Sequence, residues 1–163
     1  MNAPLRSPIK FDVQNLVRAV ADNSTTDSFS PTLTAAQWDI LASYLQPFAL
    51  AKGQVLISQN ATDRTLYLVE SGSLSVHYED SKGRLRLAMV GPGSAVGEGA
   101  FFSRQPRSAT VQAAQPGTVW CMTALRFTEL SNRNPALALE LALALGGLVS
   151  RRLANKPRRV AVT

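Results

Sequence analysis

"VGEGAFFSRQPRSATV", residues 96–111, is the stretch on which the reading of this chain turns. Two glycines, Gly97 and Gly99, bracket the carboxylate of Glu98. Two phenylalanines follow, and Arg107 then stands between Pro106 and a run of Ser, Ala, Thr and Val that reads as a core strand. Burying a guanidinium without an anion is costly, so something negative belongs beside Arg107. Gly97 and Gly99 permit close backbone approach and positive φ. The spacing predicts a short helical turn over residues 100–103, with free N–H groups pointing back toward the glycines, an end that attracts phosphate. Glu98 is acceptor-only when ionised and suits a sugar hydroxyl, as acidic residues do in dinucleotide sites. Arg107 offers a planar fork that matches two phosphate oxygens. Ser108 adds a hydroxyl, and Ala109 leaves its own N–H open to a ligand. Together these residues ask for an anionic phosphate beside a ribose. The same residues also allow an internal Glu98–Arg107 salt bridge that ties a loop.

Upstream, from Pro47 onward, short apolar runs alternate with turn residues. "PFALAKGQVLISQN", "RTLYLVESGSLSVHYEDSKGRLRLAMVGPGS" and "RSATVQAAQPGTVWCMT" are punctuated by Gly53, Asn60, Gly72, residues 80–83, 91–93 and 115–117. Short strands at this spacing predict a β-sandwich or barrel rather than an α/β sheet. From Ala124 the pattern turns helical: "ALRFTELSNRN", then Pro135 at a helix start, then a Leu-rich helix through about Leu153, stopped by Pro157. Leu137, Leu141, Leu145 and Leu148 line one stripe, flanked by Leu139 and Leu143. One side is expected on the strands. The other is a homodimer seam, a face for a partner protein, or covered by an N-terminal helix. Phe11, Val13, Leu16, Val17 and Val20 predict that short amphipathic helix. Thr34 and Gln37 stand at capping-box spacing ahead of a second one carrying Trp38, Leu41 and Leu45. Residues 1–10, with Pro4 and Pro8, read as unstructured.

The 163 residues, 45% hydrophobic and 17% charged, are an ordinary globular composition and suit a single domain with short additions. No secretory h-region opens the chain, and the 14-residue run at 136–149 is too short to cross a bilayer and contains Glu140. One cysteine, Cys121, excludes an internal disulfide and fits a reducing compartment, so a cytoplasmic location is expected. The formal charge of +6 comes largely from Arg151, Arg152, Lys156, Arg158 and Arg159. That clustering reads as a solvated helix end and tail in preference to a nucleic-acid surface.

The stretch at 97–111 resembles the phosphate-binding cassette of the cyclic nucleotide-binding domain, shared by the catabolite activator protein, the regulatory subunits of protein kinase A and cyclic-nucleotide-gated channels. The family pattern is Gly-Glu, apolar residues, then Pro-Arg-(Ser/Ala)-Ala-(Ser/Thr)-Val. Here it reads Gly97-Glu98-Gly99-Ala100-Phe101-Phe102 and Pro106-Arg107-Ser108-Ala109-Thr110-Val111. "KGQVLISQN", "RTLYLVESGSLSV" and "GPGS" resemble the family's glycine-punctuated strands, and "LRFTELSNRNP" its following helix.

The resemblance implies a mainly β fold, a double-stranded β-helix or jelly-roll-like β-roll with N- and C-terminal helices. The expected division is an N-terminal extension over 1–30, a nucleotide-binding domain over 31–155 with its roll at about 47–123 and helices at about 124–155, and a basic tail over 156–163. It gives Glu98 to the ribose 2′-OH and Arg107 to the cyclic phosphate. Gly97, Gly99, Ala100, Ser108 and Ala109 would add backbone groups, and Thr110 would face the purine. The ligand is cAMP or cGMP, with no separate cofactor. The anion that Arg107 asks for is then the ligand's phosphate.

Three departures from the family matter. The position after the glutamate is usually a large apolar residue that couples cassette to helix; here it is Gly99, and Phe101, Phe102 and Phe127 are the substitutes available. Ten residues follow Leu153, without the family's DNA-reading helices, so no sequence-specific DNA binding is expected. No aromatic follows Phe127 to cap a purine. His77 reads as an ordinary strand residue and Cys121 as core, with no metal set around them. No nucleophile triad or Walker-type loop appears, so an enzyme is not expected. The reading is a stand-alone sensor acting through its C-terminal helices on a protein partner or a second copy. The alternatives are a scaffold of the same fold that has lost its ligand and, third, a DNA-associated regulator.

Overall fold

A computed structural model describes residues 10–155 of the chain. Before the strands come two short helices, α1 (Gln14–Asp22) and α2 (Ala35–Ala42). The capping box is formed: the Thr34 side chain accepts from the Gln37 N–H at 3.1 Å, and Gln37 Oε1 accepts from the Thr34 N–H at 2.9 Å. Two of the orphan N–H groups at this helix start are thereby satisfied.

Among the described residues eight strands form two four-stranded antiparallel sheets. One orders β1 (Gln46–Leu50), β8 (Gly117–Met122), β3 (Leu66–Val69) and β6 (Ala95–Val96); the other orders β2 (Val55–Ile57), β7 (Thr110–Gln115), β4 (Ser73–Asp80) and β5 (Gly83–Val90). Alternation decides what each sheet face meets. On β3 and β8, Val69 and Val119 point into the roll, where they join Ile57, Leu74, Val76, Val90, Val96 and Val111. Leu66, Leu68, Trp120 and Met122 point the other way and meet the helices. The register sets Leu66 opposite Met122 and Leu68 opposite Trp120, which builds a continuous apolar face. β3 and β8 thus pack on both sides, while β1 at the sheet edge is largely exposed, and this is the β-roll with flanking helices expected from the sequence.

After the roll come α4 (Ala124–Arg133) and α5 (Pro135–Ala154), the latter with proline in its first turn and Asn134 accepting from the Leu137 N–H at 3.2 Å. Leu137, Leu141, Leu145 and Leu148 are all buried, in a cluster with Val13, Leu16 and Phe29 from the N-terminal segment and Trp38 from α2. Leu139 and Leu143 remain 60% and 62% exposed, so the N-terminal helix does not cover the whole Leu-rich surface. α5 ends at Ala154; Pro157 and the rest of the basic tail lie outside the described residues, as do residues 1–9.

α1 docks where Gly93 leaves room. A Cβ on Gly93 would stand 2.3 Å from the carbonyl oxygen of Ala19, and its φ of +80° suits glycine. Gly93 also bonds the neighbouring backbones, donating to the Val69 carbonyl at 2.8 Å and accepting from the Phe29 N–H at 2.9 Å. The N-terminal segment is therefore integral to the layer that surrounds the cassette.

Candidate functional site

Gly97 starts the short helix α3 (Glu98–Ser103) from a left-handed conformation, φ +86°, and its carbonyl accepts from the Phe101 N–H at 3.1 Å. Glu98, Gly99 and Ala100 form the first turn, so the helix begins two residues before the turn expected over 100–103. α3 ends on Arg104, also left-handed, and the chain runs through Arg107, Ser108 and Ala109 into β7, which begins at Thr110. Glu98, Ala100, Arg107 and Ala109 are buried, Gly99 and Thr110 half-buried, and Ser108 exposed. The Thr110 hydroxyl accepts from the Gln59 N–H at 3.1 Å. The residues proposed to contact a ligand therefore lie close along the chain, in α3 and its N-cap Gly97, the loop that follows and the first residue of β7.

Phe101 fills the role left vacant by Gly99. It is 4% exposed and packs edge-to-face on Phe127 of α4 at 5.1 Å and on Phe102 at 5.5 Å. Such ring pairs couple more firmly than area alone implies. Cassette and α4 are thus in direct contact.

The charges are arranged differently from the sequence expectation. Arg107 is 1% exposed, and its anion comes from the protein. Its Nη2 and Nε donate to the two Asp63 carboxylate oxygens at 2.6 and 3.3 Å; Nη2 also donates to the Thr65 carbonyl at 2.7 Å and Nη1 to the Gly97 carbonyl at 3.0 Å. The backbone is clamped to the same loop: the Arg107 N–H donates to the Ala61 carbonyl at 2.7 Å, and its carbonyl accepts from Asn60 at 2.8 Å. Four of the five guanidinium donors are engaged before any ligand arrives. The inference that a ligand must supply the anion for Arg107 is corrected: a forked ion pair with Asp63 supplies it. The simple Glu98–Arg107 bridge is also set aside, because the two residues pair with different partners.

Glu98 is fully buried and accepts from Arg152 Nη1 at 2.7 Å. Arg152, near the end of α5, is 2% exposed and also donates to Asp27 at 2.7 Å, to the Ser94 hydroxyl at 3.1 Å and to the Ala95 carbonyl at 2.8 Å. Arg151 donates to the Thr26 and Ser28 carbonyls at 2.9 and 2.8 Å. Reading this pair as a solvated helix end was wrong. Arg152 follows Leu148 by four residues, which carries the buried stripe of α5 one step further. Asp63 and Asp27 had no comparable signal, since both lie in loops without periodicity.

These contacts shift the acid–base balance. The hydrogen bond from Arg107 holds the Asp63 carboxyl below its ordinary value, with burial acting in the opposite direction. Burial works against the Arg152 cation, but Glu98 and Asp27 outweigh it and raise its pKa. A depressed carboxylate pKa contributes stability that is present above the unfolded value and lost as pH falls through the folded one. Wild type should therefore exceed Asp63→Asn in stability by a constant margin between about pH 5 and 7, a margin that narrows below about pH 4. Urea unfolding of both proteins across that range measures it; a margin independent of pH would show that the pair contributes no ionic stabilisation.

The remaining candidates do not form a second centre. His77 is half-buried with Arg84 Nη2 3.0 Å from its Nδ1; burial and then Arg84 and Arg86 lower its pKa. Cys121, expected in the core, is half-buried against it, and burial pushes its thiol up to about 11. Among the described residues no cluster of His, Cys, Asp or Glu could hold a metal, and no helix is long and apolar enough to cross a membrane.

Comparison with known proteins agrees with the geometry. Residues 47–134 match the cyclic nucleotide-binding domain family model, more than half of the chain. The chain is 27% identical over 134 residues to a cGMP-dependent protein kinase of Plasmodium berghei, covering 80% of this chain and 15% of the kinase. It is 34% identical over 86 residues to a cAMP-dependent protein kinase regulatory subunit of Yarrowia lipolytica, covering 53% of this chain and 22% of that protein. It thus spans under a quarter of either relative. Among solved structures, a cyclic nucleotide-binding domain from Methylobacillus flagellatus superposes with a TM-score of 0.76 at 20% identity, over 91% of this chain and 84% of that one. The Thermus thermophilus catabolite activator protein gives 0.67 at 27% identity, over 77% and 57%. With the cassette assembled as it is, the chain belongs to the cyclic nucleotide-binding domain family.

Proposed function

We propose that this chain binds cAMP or cGMP and reports occupancy through its C-terminal helices to a protein partner or a second copy of itself. The observation that carries the reading is the convergence of Glu98 and Arg107. Arg107 donates to the carbonyl of Gly97, the residue next to Glu98, so a single peptide unit links the guanidinium proposed for the phosphate to the residue whose carboxylate is proposed for the ribose. Glu98 would accept the ribose 2′-OH. The cyclic phosphate would meet Arg107 and backbone groups of Gly97, Gly99, Ala100, Ser108 and Ala109, with Thr110 toward the purine. Asp63, with the Thr65 and Gly97 carbonyls, keeps the guanidinium oriented and leaves one Nη1 donor for the phosphate. Phe101 against Phe127 gives any movement of α3 a mechanical route to α4 and then α5. Relatives named for cAMP or cGMP regulation support the ligand class.

A second reading is supported by the same charges. Arg107 and Glu98 already have protein partners, and Leu139 and Leu143 of α5 are exposed, which fits a scaffold that works through α5 without a ligand. Thermal melts with and without excess cAMP, and separately cGMP, decide between them. A ligand at about 100 times its Kd adds about 2.7 kcal/mol, a shift of several degrees for a chain of this size. A shift with one nucleotide supports the sensor and identifies the base. No shift with either supports the scaffold.

A further inference from the structure

Arg152 joins three parts of the molecule: the end of α5, the cassette, and the N-terminal segment around Asp27. Its guanidinium spans two carboxylates, with Nε on Asp27 and Nη1 on Glu98, both at 2.7 Å. Ser94 closes the ring, accepting from Arg152 Nη2 and donating to the second oxygen of Asp27 at 3.1 Å. Arg151 fastens the same helix end to Thr26 and Ser28. Glu98 lies inside the residues that match the family model; Asp27 and Arg152 lie outside them, on opposite flanks. The chain's own flanks therefore supply a clasp over the carboxylate proposed to take the ribose.

The chemistry sets up a competition. A guanidinium hydrogen bond to carboxylate is stronger than one from a neutral hydroxyl, so a ribose does not displace Arg152 from Glu98 by that bond alone. It needs the phosphate interaction at Arg107 as well. When Glu98 is taken, Asp27 still neutralises Arg152, so opening the clasp strands no buried cation. Two arrangements with different contacts at Glu98 are the minimum that a switch requires.

We propose that Arg152 competes with the ribose for Glu98: an Asp27–Arg152–Glu98 clasp holds the empty site closed, and nucleotide entry leaves Arg152 on Asp27 alone and loosens the last turns of α5. The proposal rests on the nucleotide-binding reading and adds how that site is regulated. A clasped state that holds about nine-tenths of the empty protein weakens apparent affinity about tenfold.

The test is a fluorescence titration of wild type, Arg152→Lys and Arg152→Met with fluorescent cAMP and cGMP analogues, together with amide hydrogen exchange over residues 146–155. The expected order of affinity is Met tightest, Lys intermediate and wild type weakest, because lysine keeps the charge but cannot fork between two carboxylates. Unlabelled cAMP or cGMP should speed exchange in this segment of the wild type. In Arg152→Met, exchange should already be fast without nucleotide. Equal or weaker binding by both variants, or wild-type exchange that nucleotide leaves unchanged or slows, overturns the clasp while nucleotide binding stands. No binding by any of the three proteins overturns both. Binding by Arg152→Met alone supports both. If Arg152→Met fails to fold, the lysine variant carries the comparison.

Discussion

Arg107→Ala should melt roughly 10 °C below wild type and lose its response to cyclic nucleotide. The structural loss comes first. Truncation leaves the Thr65 and Gly97 carbonyls without their donor and takes from Asp63 the cation that depresses its pKa. Asp63 is about half exposed and can recover water, so its share of the cost is small. The buried carbonyls and the vacated space dominate, and together they cost on the order of 3 kcal/mol, or roughly 10 °C for a domain of this length. The functional loss is separable. Ligand stabilisation is read as a difference in melting temperature with and without cAMP or cGMP, measured on each variant against itself. Arg107→Lys sharpens the comparison, since it retains a positive charge without the fork. A variant that melts low yet keeps the full wild-type nucleotide shift would remove Arg107 from the phosphate site and leave it a purely structural residue.

Gly97→Ala, a change of one methyl group, should also abolish nucleotide binding. The φ of +86° at Gly97 belongs to the left-handed region, where a Cβ costs about 1–2 kcal/mol. The new atom would stand 2.7 Å from the Thr65 carbonyl oxygen and 2.9 Å from Arg107 Nη1. Both are parts of the cradle that holds the guanidinium, and neither can retreat without breaking a bond that Arg107 makes. With strain and displacement combined, a loss of about 2–4 kcal/mol in stability is expected, alongside the loss of binding. Gly53→Ala is the matched control. It has a similar φ of +83° and open space around its Cβ, so it carries the backbone strain without the clash. Binding by Gly97→Ala as tight as by Gly53→Ala would show that the cradle tolerates displacement and that its geometry is not what recognises the phosphate.

Much of the fold was present in local pattern. The alternation of "LYLV" and "TVWCM" reports strands, and in the folded chain those strands bury both faces. Thr34 with Gln37 forms the capping box that its spacing predicts. The stripe Leu137, Leu141, Leu145 and Leu148 is buried as its helical period requires. Of the three phenylalanines available to replace the contact that Gly99 gives up, Phe101 makes it, on Phe127. The strands, the capping box and the Leu stripe depend on neighbours within a turn or two of chain or on periodicity that any buried face imposes, whereas the Phe101–Phe127 contact joins α3 to α4 through the path of the chain.

The sequence by itself determined which residues make the cassette: a carboxylate, a guanidinium and a run of small residues, which the fold sets around α3. Which groups neutralise those charges was decided only in three dimensions. Asp63 meets Arg107 across 44 positions, Arg152 meets Glu98 across 54, and Asp27 meets Arg152 across 125. An ion pair leaves no periodic trace in sequence, because it needs only two side chains brought within hydrogen-bond distance by the path of the chain. The roll carries the loop of Asp63 beneath Arg107. The packing of α5 on the N-terminal segment carries Arg152 onto Glu98, and so places the end of the last described helix on the carboxylate of the cassette.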